Sequence, residues 1–173
     1  MKRVLRILLS SLIIPLSAWS QANEDYLKLV WDSHLPDDLF AFYSQEVIRS
    51  KYEINKSLNP FYLRGDFDGD KRIDYALAVL ENGTKKKGIL IYHPVSKKYF
   101  LVGAGKSIPN GHGDDYPWMD SWEVYDRKEV DLGVGETKSI KLKGEAIVIQ
   151  KLESSSGLVY WDGKEYRWYQ QGD

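Results

Sequence analysis

The sequence contains no cysteine. That excludes disulfide staples, a thiol nucleophile and a lipoprotein anchor. Basic residues are not in excess, 24 Lys and Arg against 25 Asp and Glu, so no basic face argues for nucleic acid. There is no internal repeat, no Gly-x-Ser-x-Gly and no His-Glu-x-x-His, which leaves the common hydrolase signatures without a carrier. The segment Gly103–Ser107 (GAGKS) hints at a phosphate loop, but it lacks the four-residue spacing between glycines and a following helix. His34 and His93 are isolated in sequence and read as capping or surface residues.

Long apolar runs are equally scarce. The one near the start, ILLSSLIIPLSAW, is broken by serines and by Pro15 and is shorter than the roughly 20 residues a membrane span needs. It follows a basic MKRVLR and precedes small residues that offer cleavage after Ser20 or Ala22. Residues 1–22 therefore read as a secretory signal peptide, and the protein as periplasmic or secreted. Its removal takes Lys2, Arg3 and Arg6 with it and moves the formal net charge from −1 to −4. Residues 23–173 are one domain by length, with no membrane span, and that length holds a core without staples.

Aromatic residues are plentiful, with 6 Trp, 12 Tyr and 5 Phe, and carry much of the expected core area. Residues 22–34 and 35–52 read as helices. In the second, Pro36 takes the first helical position, Asp37 and Asp38 lie in the first turn, and Leu39, Phe40, Tyr43 and Val47 form the apolar stripe. After Asn59-Pro60 the pattern becomes strand-like, in short apolar segments joined by polar turns such as Asn82-Gly83 and Asp162-Gly163. The fold expected is α+β: N-terminal helices packed on one mainly antiparallel sheet of about seven or eight strands.

The densest chemistry lies in LRGDFDGDKRIDYALAVL, residues 63–80. Counting from Asp66 as the first position, Asp68 is third, Asp70 fifth and Asp74 ninth, and Arg72 at the seventh can offer its backbone carbonyl. Ca²⁺ takes six to eight oxygen ligands, and this is the ligand order of the helix–loop–helix calcium site. Two departures remove the EF-hand itself. Leu77 replaces the glutamate at the twelfth position, and the flanks are strand-like. At the sixth position Lys71 stands where glycine is expected, and a positive φ there costs about 1 kcal/mol. Four carboxylates within nine residues repel one another unless a cation neutralises them, although Arg64, Lys71 and Arg72 could do part of that.

This segment resembles the Asp-x-Asp/Asn-Gly-Asp-Gly-x-x-Asp calcium loop of FG-GAP and VCBS-type repeats, in which the loop joins two strands. The resemblance implies that Asp66, Asp68, Asp70 and Asp74 are calcium ligands. A propeller of such repeats is excluded, since only one copy occurs. The chain as a whole resembles small secreted bacterial proteins with a single such loop, a likeness that implies no activity. A structural ion is expected, holding the strands at the corner.

A second candidate surface is the Gly-, Pro- and Asp-rich segment 110–126, a long loop running into a strand. It gathers His112, Asp114, Asp115, Asp120 and Glu123 with Tyr116, Trp118 and Trp122. Rings beside carboxylates suit a glycan, since rings stack on sugar faces and paired acids can do acid–base work. The function expected is a non-catalytic binding or interaction domain, stabilised by calcium, that contacts an envelope protein or glycan through this loop. The alternative is a small periplasmic hydrolase acting on glycan or peptidoglycan with acids from the same segment.

Overall fold

A computed structural model describes residues 16–126 and 129–172, and most of the expected signal peptide lies outside them. The chain divides into two compact units, Met1–Leu35 and Pro36–Asp173. In the first, helix α1 (Leu16–Asp32) runs through both expected cleavage points. Its last turn is closed by His34, whose Nδ1 lies 2.7 Å from the Val30 carbonyl.

The second unit begins with the segment read as one helix over 35–52. It forms two, α2 (Asp37–Tyr43) and α3 (Glu46–Arg49), with the break at Ser44–Gln45. Pro36 is the N-cap, not the first helical residue, and its carbonyl accepts the Phe40 amide at 2.8 Å. The break changes the buried face. Leu39, Phe42, Tyr43 and Ile48 are buried, whereas the expected stripe members Phe40 and Val47 are exposed. Phe42 stacks flat on Tyr92, ring centroids 4.0 Å apart, which seats α2 on the outer face of the first sheet.

The expectation of one sheet with seven or eight strands is corrected: the described residues form nine strands in two antiparallel sheets. The first sheet holds β1 (Tyr52–Ile54), β2 (Tyr62–Gly65), β3 (Asp74–Glu81), β4 (Lys87–His93) and β5 (Lys98–Gly103). Both β1 and β2 pair with β3 on the side away from β4, which in turn pairs with β5. The second sheet is the meander β6 (Ser121–Tyr125), β7 (Ala146–Lys151), β8 (Ser155–Trp161) and β9 (Tyr166–Gly172). Side-chain alternation says which residues face inward, not which sheet carries them, and that is why two layers read as one.

The inner faces pack as a sandwich. Ala76, Ala78, Ile89, Ile91 and Val102 of the first sheet meet Trp122, Ile147, Ile149, Val159 and Trp168 of the second in one buried cluster. The near-continuous burial of β3 follows, because its other face lies on the helix side. The small residues Ala76 and Ala78 leave room for the second sheet's indoles. The outer face of the second sheet is partly covered by Val130 and Leu142 of the β6–β7 connection. The Tyr169 hydroxyl holds that connection, accepting the Gly133 amide at 3.0 Å and donating to the Lys138 carbonyl at 3.1 Å.

At Gly103–Lys106 the chain leaves the first sheet through a left-handed turn with φ of 73°, 48° and 91° at Gly103, Ala104 and Gly105. The amides of residues 103–106 donate to the carbonyls of Lys106, Lys87, Asp114 and Gly103. All four donors are therefore engaged by backbone, and the turn has none to offer a phosphate.

Candidate metal centre

The aspartate loop leaves β2 at Gly65 and enters β3 at Asp74. Phe67 anchors it. That ring is 1 % exposed, in the core between the sheets, and Asp66 and Asp68 on either side are half-buried. The carboxylates organise the loop's own backbone. Asp66 Oδ1 accepts the Gly69 amide at 2.8 Å and its Oδ2 accepts that of Lys71 at 3.1 Å. Asp68 Oδ1 accepts the Asp70 amide at 3.0 Å, and Asp70 Oδ1 that of Arg72 at 2.7 Å. Lys71 adopts φ 67°, the left-handed conformation that the ligand spacing requires at the sixth position.

Oxygen atoms of Asp66, Asp68 and Asp70 lie within 4.8 Å of one another. Asp74 stands apart from Asp66 and Asp70. Its Oδ2 accepts the amides of Phe67 and Asp68 at 2.9 and 3.3 Å, and it groups instead with Asp68 and His93. Arg72 is exposed, as is Lys71. Among the described residues, the ion pairs of these four carboxylates are with His93, not with Arg64, Lys71 or Arg72.

His93 is not a surface residue. It is 3 % exposed at the end of β4. Tyr75 pairs with Tyr92 across the β3–β4 ladder, and one step further brings Asp74 beside His93. The ring's Nδ1 is 3.2 Å from Asp68 Oδ2 and its Nε2 is 2.6 Å from the Tyr166 hydroxyl of β9. Phe100, Trp161 and Tyr166 surround the ring edgewise or tilted. Burial lowers the pKa of His93 against the pull of Asp68, Asp70 and Asp66. Burial, then the charge of Asp68, pushes Asp74 up to about 7 against the Phe67 and Asp68 amides. The Tyr166 hydroxyl is raised by burial and by Asp74, Asp68 and Asp66. The corner thus concentrates negative charge with little on the protein to offset it.

The second sheet completes the setting through Glu145, immediately before β7, a residue without a signal in the sequence. Its Oε2 accepts the Asp66 amide at 2.6 Å, and its amide donates to the Asp66 carbonyl at 2.7 Å. The approach requires glycine on both sides. A Cβ on Gly144 would overlap the Asp66 carbonyl oxygen, and one on Gly69 would lie 2.8 Å from the Lys143 carbonyl carbon.

The 110–126 residues are dispersed. Lys86 bonds Asp114 at 2.5 Å and holds its carboxyl below the ordinary range. Asp115 accepts the Lys87 amide at 2.8 Å. Asp120 accepts the Leu152 amide at 3.2 Å, on the second sheet's β7–β8 turn. Tyr116 is fully buried, and burial pushes its hydroxyl up to about 12. Trp122 is buried and donates to the Pro60 carbonyl at 2.6 Å. His112 is exposed and meets half-buried Trp118 and buried Trp168 edge-on, with centroids 5.3 and 4.8 Å away. Glu123 lies on the outer face of the second sheet, lining a shallow 380 Å³ cleft with Tyr125, Val148, Gln150, Leu158 and Gln171. The structure therefore brings His112 to Trp118, and sends the four acids to three different places.

Comparison of the chain with protein-family models, with curated proteins and with solved structures finds no match.

Proposed function

We propose that this protein is an exported, non-catalytic binding domain whose 66–74 loop takes a structural Ca²⁺. Asp66, Asp68 and Asp70 would supply direct oxygen ligands. The Arg72 carbonyl is the seventh-position donor, and Asp74 acts through water, a common arrangement at the ninth position. The observation that carries this reading is Lys71 at φ 67° with its amide on Asp66. The loop accepts an unfavourable backbone conformation at a lysine and so turns three carboxylates to one point. Six to eight oxygens around a flexible loop suit Ca²⁺ better than Mg²⁺, which keeps its waters. The partner, an envelope protein or glycan, is assigned to the 110–126 segment, where exposed His112 and half-buried Trp118 present ring surface together.

Calcium titration of the EGTA-treated protein tests the site. At a hundredfold excess over Kd, an ion bound only by the folded state adds about 2.7 kcal/mol. That raises Tm by roughly 5–10 °C for a domain of this size. Asp70→Ala removes the most exposed ligand and should abolish both the heat and the shift. A melt identical in EGTA and in millimolar calcium, with no calorimetric signal, refutes the site.

A further inference from the structure

Asp74 and His93 are both buried, at 2 % and 3 % exposure, and they face each other across the start of β3 and the end of β4. Asp68, on the loop, closes the third side. One oxygen or nitrogen atom from each of these residues lies within 4.8 Å of the others. We propose that Asp68, Asp74 and His93 form a second cation seat, set deeper than the calcium loop, that takes a nitrogen-accepting divalent ion of the zinc class.

The seat shares Asp68 and Asp74 with the calcium loop, and three observations support it. The first is the donor set. Imidazole is a poor partner for Ca²⁺ and a preferred one for Zn²⁺, and a His with two carboxylates leaves a fourth position for water. The second is spacing. Two ligands at about 2.0–2.1 Å from a tetrahedral ion sit about 3.3 Å apart; His93 Nδ1 is 3.2 Å from Asp68 Oδ2, and Asp74 Oδ2, now nearest the ring at Nε2 and 4.0 Å from it, moves in to complete the set. The third is orientation of the ring from its far side. Metal-bound histidines are fixed by a hydrogen bond at the other ring nitrogen, and His93 Nε2 has the Tyr166 hydroxyl at 2.6 Å. That bond comes from the opposite sheet, and the aromatic rings of Phe100 and Trp161 hold the imidazole in place. Two carboxylates otherwise converge on one buried ring, at 3.2 and 4.0 Å, and a divalent ion between them satisfies all three side chains. Asp68, partly exposed at 19 %, is the route in from solvent.

The test uses the full chain, stripped of metal, titrated with ZnCl₂ and separately with CoCl₂. One equivalent of zinc should bind and shift the ring-nitrogen NMR signals of one histidine only. The chain has three, and His34 and His112 are exposed. Cobalt should produce the visible absorption of a low-coordinate N/O site. Tyr166→Phe keeps the ring and removes the orienting hydroxyl, and should weaken zinc by about 10–100-fold. His93→Gln should abolish zinc binding while calcium affinity changes less than about threefold, because the outer ligands remain. Should His93→Gln fail to fold, the wild-type NMR titration and Tyr166→Phe decide alone. No zinc heat, a shift at His34 or His112, or unchanged zinc affinity in Tyr166→Phe overturns the proposal. Calcium is titrated separately on the same preparation, so failure of the outer loop and failure of the inner seat are distinguishable.

Discussion

Replacing Gly144 by alanine puts the union of the two sheets under a direct test. A Cβ there would overlap the Asp66 carbonyl oxygen and stand 2.7 Å from the Gly69 nitrogen, both backbone atoms that cannot rotate away. Restoring ordinary contact moves one segment by about 1 Å. That takes the two bonds between Glu145 and Asp66, now 2.6 and 2.7 Å, beyond the roughly 3.5 Å at which a hydrogen bond is lost. The amide–carbonyl bond contributes about 0.5–1.5 kcal/mol and the one to the carboxylate about 1.5–3. Glu145 is half-buried, so the lower halves apply, and Gly144→Ala should cost about 2–3 kcal/mol. Thermal unfolding by circular dichroism should then fall by roughly 5–12 °C. Glu145→Ala removes only the side-chain bond, the larger of the two, and should give about three quarters of that loss. Gly83→Ala is the control, because nothing lies within 4 Å of the added carbon; it should stay within about 0.5 kcal/mol of wild type. A Gly144→Ala protein melting within about 2 °C of wild type refutes the claim that this approach holds the sheets.

Gly157→Ala should destabilise by a different route. Its Cβ would overlap the Trp168 ring and lie 2.5 Å from Cε2, so about 1–3 kcal/mol of overpacking is expected, read as a shifted denaturation midpoint and a changed tryptophan emission; an unaltered midpoint refutes it. Asp162 caps the β8–β9 hairpin, and the Glu165 amide first, with Lys164 and Arg167 adding, holds its carboxyl below the ordinary value. A depressed folded pKa contributes stability above the unfolded value of about 3.9 and loses it as pH falls through the folded one. The Tm difference between wild type and Asp162→Ala should therefore be constant from pH 6 to 8 and shrink below about pH 4, and a gap that widens in acid contradicts the assignment.

Much of the aspartate loop is legible in the sequence, because ligand order and the need for a left-handed sixth residue are local properties. Lys71 at φ 67° is the example. The strand segments are legible for the same reason, as is the Asp162-Gly163 turn, where Asp162 Oδ1 accepts the amides of Lys164 and Glu165. Three features are not local. The division into two sheets depends on residues 104–120 carrying the chain from one layer to the other, which alternation does not record. Glu145 meets Asp66 across 79 positions. The helix break at Ser44–Gln45 is set by where Phe42 and Ile48 find their burial rather than by propensity. His93 lies between these cases. The β3–β4 hairpin register places it beside Asp74, but counting back from a two-residue Asn82-Gly83 turn would set Asp74 opposite Ile91; the loop closes instead between Glu81 and Lys86 and shifts the partner to His93.

The location of the charge gives the corner its consequence for the whole domain. Asp74 is the first residue of β3, an interior strand of its sheet, and Glu145 immediately precedes β7, an interior strand of the other. The aspartate loop touches the start of both. Repulsion among its carboxylates is therefore exerted where the two ladders begin, not at a frayed edge where it could dissipate. A cation that neutralises the loop acts on the same two strands through the Asp74 and Glu145 bonds to the backbone of residues 66–68. Its binding energy then contributes to cohesion between sheets rather than to local turn order. His93 adds a third attachment, since Asp68 on the loop and Tyr166 on β9 are joined through one buried ring. A loop tied to both layers in this way has the character of a joint, and that is why the structural role proposed for it rests on its place in the fold as much as on its carboxylates.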